Sequence, residues 1–332
     1  TRSSGDSVLY YLVNYDNQEG FALLGADDRI YPVLAISTEG NMAMGDTVSN
    51  RGLASFFRSV TWNPPLIPDT LVKPGDPLYL IQLKSIIKPK LSDIVSKWDK
   101  AEITELISQE YGAMDELIKG TTLSMVQIMS YFGRPLGVEM RNDFPFLEKH
   151  VNWPAARNYP VNSNINNPLI ELFYRLEQDM EGDIDYPVAM ALPYTFRYWG
   201  YESPYYGDPL DRLTWPNFGG SESMADALDD GNLVQAFGVE KSNGNYCVWT
   251  IDGYMKYIYP SQIAPKYEDT VNLLHCVWGN GGRDNGYFFC RTNEPIDDIM
   301  IGPKPEEPDP QTTEDIKPLV WVEFYHYKYV PR

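Results

Sequence analysis

The chain has 332 residues, of which 43% are apolar and 14% aromatic, and its formal net charge is −19. Such an acidic surface repels phosphate backbones and anionic lipid heads, so nucleic acids and membrane surfaces are poor partners. The sequence contains no run of roughly 18 apolar residues, the length that spans a bilayer. The length predicts two domains, and the aromatic content favours β-rich structure.

In chain order, the first predicted elements are short β-rich segments broken by Asn, Gly and Pro. They are "VLYYLVNY" (8–15), "FALLGADD" (21–28) and "IYPVLAIS" (30–37). Apolar spacing predicts a helix over 50–60. The proline-rich stretch 62–77 is predicted to be a linker or an extended wrap.

The middle of the chain predicts helices over 103–118, 123–132, 167–180 and 223–231. The third of these has Asn167 as its expected N-cap and Pro168 at the first helical position. Strands are predicted over 232–239, 247–259, 273–279, 286–290 and 320–330, with an acidic proline-rich spacer at 302–315 before the last one. This order of elements indicates an α+β fold.

Cysteine and histidine are scarce, which limits the chemistry that the chain offers. There are three of each: Cys247, Cys276, Cys290, His150, His275 and His326. An odd number of cysteines leaves at least one unpaired within a monomer. No two of them have the close spacing of a zinc knuckle, so we expect neither a metal nor another cofactor.

Four segments resemble the streptopain-type cysteine peptidases. "EGFALLGADDRIYPVLAISTEGNM" (19–42) resembles their propeptide, and "SMVQIMSYFGRP" (124–135) resembles their nucleophile helix. "CVWTIDGY" (247–254) resembles the strand that carries the catalytic histidine, and "HCVWGNGGRDNGYFFC" (275–290) resembles the segment that follows it. The four occur in the family's order.

The resemblance implies a papain-like two-lobed fold preceded by a small β-rich propeptide-like domain. It divides the chain into a propeptide-like domain with its linker (1–85), a peptidase-like domain (86–303), and the spacer with an extra C-terminal strand (304–332). It also implies a secreted, cell-surface or periplasmic protein of bacterial type. Function has to be argued from the site itself.

The family's catalytic positions carry other residues here. When the motifs are aligned, the nucleophilic cysteine falls on Gly120, or on Thr121 after a one-residue shift, the histidine falls on Cys247, and the asparagine falls on Val277. A papain-like mechanism needs a thiolate, an imidazole base and an amide that orients it. We therefore expect catalysis to be lost, Cys247 to be a small apolar filler, and the remnant cleft to bind a peptide or protein.

Two alternatives remain open at this stage. A rearranged active site would pair Cys247 with His275, provided that Cys247 faces Val277 on the next strand. In the other alternative, the propeptide-like segment acts as an inhibitor or partner of another peptidase. The sequence leaves the oligomeric state undetermined.

The remaining motifs have ordinary structural interpretations. Cys276 and Cys290 are predicted to be core residues, and His150 and His326 match no catalytic motif. The glycine-rich stretch 278–286 is predicted to be a β-hairpin turn. The aromatic stretch 194–209 is predicted to be core with partial exposure.

Overall fold

The computed structural model describes residues 2–4, 7–27, 29–42, 53, 56–57, 60, 82–112, 118–134, 150–182, 199, 201–202, 220–240, 246–260, 268–290 and 319–329. The predicted linker 62–77 and the acidic spacer 302–315 lie outside these residues. Only the backbone is described at some strand positions, among them Cys247, Cys290 and all of 319–329.

Strands from both ends of the chain form one sheet of eleven strands. They are β1 (Arg2–Ser4), β2 (Ser7–Asn14), β3 (Phe21–Gly25), β4 (Val33–Ser37), β5 (Gln82–Ile87), β6 (Tyr201–Glu202), β7 (Leu233–Glu240), β8 (Tyr246–Pro260), β9 (Glu268–Val277), β10 (Gly286–Cys290) and β11 (Leu319–Tyr329). Their order is β1-β2-β3-β4-β10-β9-β8-β7-β11-β6, with β5 paired to β8.

The N-terminal strands join the rest of the sheet where β4 pairs with β10. This pairing is antiparallel and sets Gly286 opposite Ser37 and Phe288 opposite Ala35. The buried Ser37 hydroxyl donates to the carbonyl oxygen of Asn285 at 2.5 Å. A Cβ at Gly286 would lie 2.5 Å from the carbonyl oxygen of Ile36, so the close approach of these two strands requires glycine there. The four N-terminal strands are thus part of the main sheet.

The longest strand, β8, organises the other half of the sheet. Its first half pairs with β7, its second half pairs with β5, and β9 runs along its opposite edge. The register between β8 and β9 shifts between Ile251 and Gly253, which leaves Asp252 in a bulge. Such bulges redirect side chains within a sheet.

Six α-helices have bounds within the described residues: α1 (Asp93–Ser96), α2 (Lys100–Tyr111), α3 (Gly120–Phe132), α4 (Trp153–Asn158), α5 (Asn167–Gly182) and α6 (Gly220–Asp229). The side chains of Ser92 and Asp99 cap the starts of α1 and α2 by accepting backbone N–H groups. Helix α3 packs against β8 and α5, and all three contribute to one hydrophobic core.

The predicted α+β class and most predicted elements agree with the structure. Within the stretch predicted as the first helix, Leu53, Phe56, Phe57 and Val60 are helical and buried at helical spacing. Helix α3 begins three residues before its predicted start, and α2 ends at Tyr111, followed by the C-cap Gly112 (φ 100°), well short of residue 118. Asn167 was predicted as an N-cap but has helical dihedrals (φ −51°, ψ −41°), because a 3₁₀ turn at Asn164–Asn166 leads directly into α5.

The predicted domain boundary at residue 85 falls inside β5 (Gln82–Ile87). The predicted C-terminal strand corresponds to β11, which pairs with β7 and β6. In the aromatic stretch 194–209, the described side chains of Trp199 and Tyr201 are both buried. Among the described residues, no helix is long and apolar enough to cross a membrane.

Candidate functional site

The helix that resembles the nucleophile helix begins at Gly120, the position aligned with the catalytic cysteine. Its N-cap residue, Lys119, makes no capping side-chain hydrogen bond, and its first turn contains no acidic residue. The ten residues from Thr121 to Ser130 are all buried, and Gly133 ends the helix in a left-handed conformation (φ 67°). The helix is therefore buried from Thr121 onward, whereas Lys119 and Gly120 at its start are partly exposed.

The backbone of β8 closes over Gly120. A Cβ at Gly120 would lie 2.8 Å from the carbonyl oxygen of Val248 and 3.5 Å from its amide nitrogen. Val248 follows Cys247, the residue aligned with the catalytic histidine. The fold thus brings the aligned nucleophile and base positions together, but the gap between their backbones is too small for a side chain at Gly120.

The other candidate for the nucleophile position, Thr121, is fully buried. Its hydroxyl has no hydrogen-bond partner among the described residues, and its carbonyl oxygen accepts a bond from Gln235 Nε2 at 3.4 Å. A hydroxyl without an adjacent base remains protonated and is a poor nucleophile. No catalytic thiol or base stands beside this hydroxyl among the described side chains.

A charged cluster surrounds the start of α3. The Thr122 hydroxyl donates to Glu177 Oε2 at 2.5 Å, and Lys119 Nζ lies 3.4 Å from Glu177 Oε1. The Glu177 side chain is 3% exposed and that of Lys119 is 24% exposed. A buried carboxylate needs such partners, because desolvation would otherwise make its charge unfavourable.

A second buried polar network ties α3 to β8 two turns further along the helix. The Thr250 hydroxyl donates to Gln127 Oε1 at 2.7 Å and lies 2.7 Å from the Ser124 hydroxyl. Gln127 Nε2 donates to the carbonyl oxygen of Val95 at 3.3 Å. The network joins three elements and fixes the strand that closes over Gly120.

The position aligned with the catalytic asparagine does not face Cys247. Val277 is buried and pairs with Thr250, which lies three residues after Cys247 on β8. At roughly 3.3 Å per residue, this offset is about 10 Å along the strand. The assumption that Cys247 faces Val277 is therefore wrong, because the hairpin register places Cys247 beyond the end of β9.

The alternative Cys247–His275 dyad is also wrong. His275 pairs with Gly253, six residues after Cys247 on the same strand. That separation is about 20 Å along β8, far beyond hydrogen-bond reach. The side chain of Cys247 itself lies outside the described part of the structure.

His275 instead makes a buried hydrogen bond with Asp252. Its Nδ1 lies 2.6 Å from Asp252 Oδ1, and its ring packs edge-on against Tyr287 with 4.8 Å between ring centroids. Asp252 is fully buried, and its second oxygen accepts the backbone N–H of Leu91 at 3.0 Å. The carboxylate thus holds both His275 and the segment that follows β5.

This arrangement gives a structural reason for the "DGY" motif on β8. The backbone oxygen of Asp252 accepts from Lys90 N at 3.1 Å. A Cβ at Gly253 would lie 2.7 Å from the carbonyl oxygen of Ile87. The Tyr254 hydroxyl donates to Asp229 on α6 at 2.8 Å. All three motif residues position neighbouring elements.

Burial changes the pKa of two groups near Asp252 and His275. Desolvation raises the pKa of Tyr287 to about 12, and the nearby charges of Asp252 and Tyr257 add to the shift. Desolvation lowers the pKa of Lys90, although Asp229 and Asp252 partly oppose the shift. The Lys90 ammonium binds the carbonyl oxygens of Leu228 and Asn232 at the end of α6.

The glycine-rich stretch after β9 is a hairpin turn, as predicted. It joins β9 to β10, and Gly279, Gly281 and Gly282 adopt positive φ angles. Asn285 holds the turn: its Oδ1 accepts from Trp278 N at 3.1 Å, and its Nδ2 donates to the carbonyl oxygen of Ser96 at 2.9 Å.

The remaining cysteines and histidines lie on β9, β10 and β11 and in the segment before α4. Cys276 is buried, in agreement with its predicted core position, and its thiol donates to the carbonyl oxygen of Leu274 at 3.7 Å. His150 is exposed. The side chains of Cys290 and His326 lie outside the described residues. No group of three or more His, Cys, Asp or Glu side chains in the described part of the chain could hold a metal ion.

Sequence reasoning missed the cluster around Glu177. The signal was present, since Glu177 lies between Phe173 and Met180 at the spacing of the buried face of α5. An acidic residue on an apolar helix face implies a buried partner. The partners, Lys119 and Thr122, come from an element more than fifty residues away.

Comparisons with known proteins support the family resemblance. Residues 1–63 match the family model of the Spi protease inhibitor. Among solved structures, a fragment of Prevotella intermedia prointerpain A, in which a cysteine is replaced by alanine, superposes with a TM-score of 0.50 at 18% identity, covering 84% of this chain and 91% of that one. No curated protein matches the sequence. The chain therefore shares the papain-like fold of prointerpain A and has a propeptide-like N-terminal segment.

Proposed function

We propose that this chain is a streptopain-type peptidase homologue that has lost peptidase catalysis and acts by binding a peptide or protein. The contact between Gly120 and Val248 carries the proposal. The position aligned with the nucleophile has no side chain, and a Cβ there would approach the Val248 carbonyl to 2.8 Å. A thiolate at this point is excluded unless β8 moves.

The surroundings of Gly120 support the same conclusion. Thr121 is fully buried, and the Thr122 hydroxyl is bound to Glu177. The His275 imidazole is held by Asp252 about 20 Å along the sheet from the position aligned with the base. The groups that nucleophilic catalysis needs are therefore not assembled at the start of α3 within the described structure.

We propose that the ligand binds between the helical and β lobes, where the papain-like fold implies a cleft. The net charge of −19 favours a ligand that carries positive charge. We propose that the protein is secreted or displayed at the cell surface, as is typical of the family it resembles.

A second candidate function has one observation in its favour. Residues 1–63 match a protease-inhibitor family, so this segment could inhibit a peptidase of the streptopain type in trans. However, β4 pairs with β3 on one side and β10 on the other, so neither of its edges is free. Inhibition in trans through β4 would therefore require the sheet to open. We favour the first proposal because it is supported by the contact between Gly120 and Val248.

The test is a hydrolysis assay on the purified full chain. Fluorogenic peptides and unfolded casein should give no turnover above a buffer blank, and iodoacetamide should alkylate Cys247 no faster than it alkylates a denatured-state thiol. Hydrolysis that disappears in Cys247→Ala or Thr121→Ala would refute the loss of catalysis. Capture of an active streptopain-type enzyme by the wild-type chain, with inhibition of that enzyme, would favour the second candidate.

A further inference from the structure

The N-terminal segment, residues 1–60, completes the edge of β10, a buried strand of the main sheet. Strand β9 occupies one edge of β10, and β4 occupies the other along Gly286, Tyr287 and Phe288. Tyr287 and Phe288 are only 6% and 4% exposed. Without β4, the backbone groups on that edge would lose their partners beside an apolar surface. Natural sheets rarely leave such an edge uncovered.

A row of aromatic rings continues from the N-terminal segment into the centre of the sheet. The rings of Phe56 and Phe288 meet edge-on, with 5.1 Å between their centroids. The ring centroid of Trp278 lies 5.3 Å from that of Phe288 and 5.2 Å from that of Trp249 on β8. All four side chains are at most 6% exposed. The row therefore joins the segment to the strand that closes over Gly120, within one hydrophobic core.

An ion pair also spans this boundary at the surface, but it adds little to the attachment of the segment. Glu39 Oε1 lies 2.9 Å from Nζ of Lys97, directly after α1, and both side chains are 40% exposed. Exposed ion pairs of this kind contribute little to stability. Interfaces between domains that move apart are usually polar, whereas the aromatic contact here is as buried as a protein interior.

We propose that the N-terminal segment is a permanent structural part of this protein and is not released from it. The surface formed by the edge of β10 with Phe288 and Trp278 takes the chain's own segment as its partner. A chain that is cut between residues 60 and 82 should therefore remain one folded particle made of two pieces. The proposal concerns the sheet alone and holds whether or not the chain has peptidase activity.

A site-specific cut in the full chain tests this proposal. A protease recognition sequence inserted after Asp69 lies between the segment and β5, and the same variant before cleavage is the control. After complete cleavage, size-exclusion chromatography at low micromolar concentration should give one peak that contains both pieces. When isotopically labelled cut protein is added, the pieces should exchange no faster than the whole protein unfolds. Two separate peaks, or exchange more than about tenfold faster than unfolding, would overturn the proposal.

A substitution within the segment should destabilise the rest of the protein, because the two form one cooperative unit. All eight tryptophans follow residue 60, so tryptophan fluorescence reports on the remainder of the chain. Leu23→Ala removes a fully buried side chain on β3 and should reduce the folded-to-unfolded ratio from this signal more than about tenfold. Val13→Ala, at a 41% exposed side chain on the neighbouring strand, is the matched control and should leave the ratio nearly unchanged. If the tryptophan signal does not respond to Leu23→Ala, the segment folds independently and the proposal is wrong.

Hydrogen exchange on the wild-type chain gives a readout that needs neither a cut nor a variant. In increasing urea, the slowest amides of β4 should exchange through the same global opening as the slowest amides of β8. Amides of β4 that open at a lower urea concentration than those of β8 would contradict the proposal, because they would reveal a segment that detaches by itself.

Discussion

Replacing Gly120 by alanine tests whether the backbone of β8 closes the nucleophile position. Two effects of opposite sign compete in this variant. Alanine in place of glycine usually stabilises a helix by about 0.5–1 kcal/mol, because glycine loses more backbone entropy on folding. Here the added Cβ would lie 2.8 Å from the Val248 carbonyl oxygen, well inside normal contact distance.

We expect the destabilising contact to outweigh the gain in helix stability, because the Val248 backbone cannot move independently of its neighbours. Val248 is paired with Phe237 on β7, and two residues later Thr250 anchors β8 to α3 through Gln127. Overpacking against such a rigid neighbour typically destabilises by about 1–3 kcal/mol. After subtracting the helical gain, we expect Gly120→Ala to lower the free energy of unfolding by about 1 kcal/mol.

Thermal and urea unfolding measure this change directly. A loss of about 1 kcal/mol corresponds to a melting temperature roughly 2 °C lower for a domain of this size. Gly120→Ser adds one more atom at the same point and should be less stable still. A melting temperature that rises in Gly120→Ala would show that the position is open, and it would remove the main support for the loss of catalysis.

Three further predictions follow from the buried groups. Thr250→Val removes the hydroxyl that satisfies two buried side chains and should destabilise by about 1–3 kcal/mol in urea unfolding, whereas Thr250→Ser should retain most of that stability; equal losses would contradict the network. The pKa of Tyr287 is raised to about 12 in the folded protein, against an ordinary value near 10. The folded state is therefore stabilised below pH 10, and this stabilisation is lost as the pH rises from 10 to 12. The free energy of unfolding should fall by about 2 kcal/mol over that interval after allowance for solvent screening, and Tyr287→Phe should reduce this dependence on pH. If the variant shows the same dependence on pH, another group causes it. The double variant Gly120→Cys with Cys247→His should hydrolyse no fluorogenic peptide. Measurable turnover would show that β8 moves away from residue 120 and leaves room for a side chain there.

The sequence predicted those features that depend on local patterns. Apolar periodicity located α3, and glycine spacing identified the hairpin turn between β9 and β10. Four motifs in order led to the family and its fold. These signals are local because helix periodicity and turn geometry depend on neighbouring residues.

Features that depend on register were not predictable in the same way. Motif alignment placed Cys247 and Val277 at partner positions, but the bulge at Asp252 and the hairpin length decide which residues face each other. A one-residue change in register moves every side chain to the other face of a strand. The Glu177 cluster was missed for a related reason, since its partners lie on a different helix.

The closeness of β8 to Gly120 is also a tertiary property. The sequence identifies a glycine at the start of a helix, where the residue's conformational freedom is the usual explanation. In the structure, Gly120 matters because the carbonyl of Val248 occupies the space that a side chain would fill. Only the packing of α3 against β8 reveals this distinction.

The pairing of β4 with β10 has a consequence for how the chain folds during synthesis. The bond from Ser37 to Asn285 joins residues 248 positions apart, so β4 leaves the ribosome long before its partner strand exists. At a translation rate of roughly 5–20 residues per second, that wait is on the order of 10 to 50 s. Throughout this interval, the backbone N–H and C=O groups on the β10 side of β4 are unpaired and can bind other strands. A chaperone that holds the nascent N-terminal hairpins should therefore raise the yield of native protein more than one added after release.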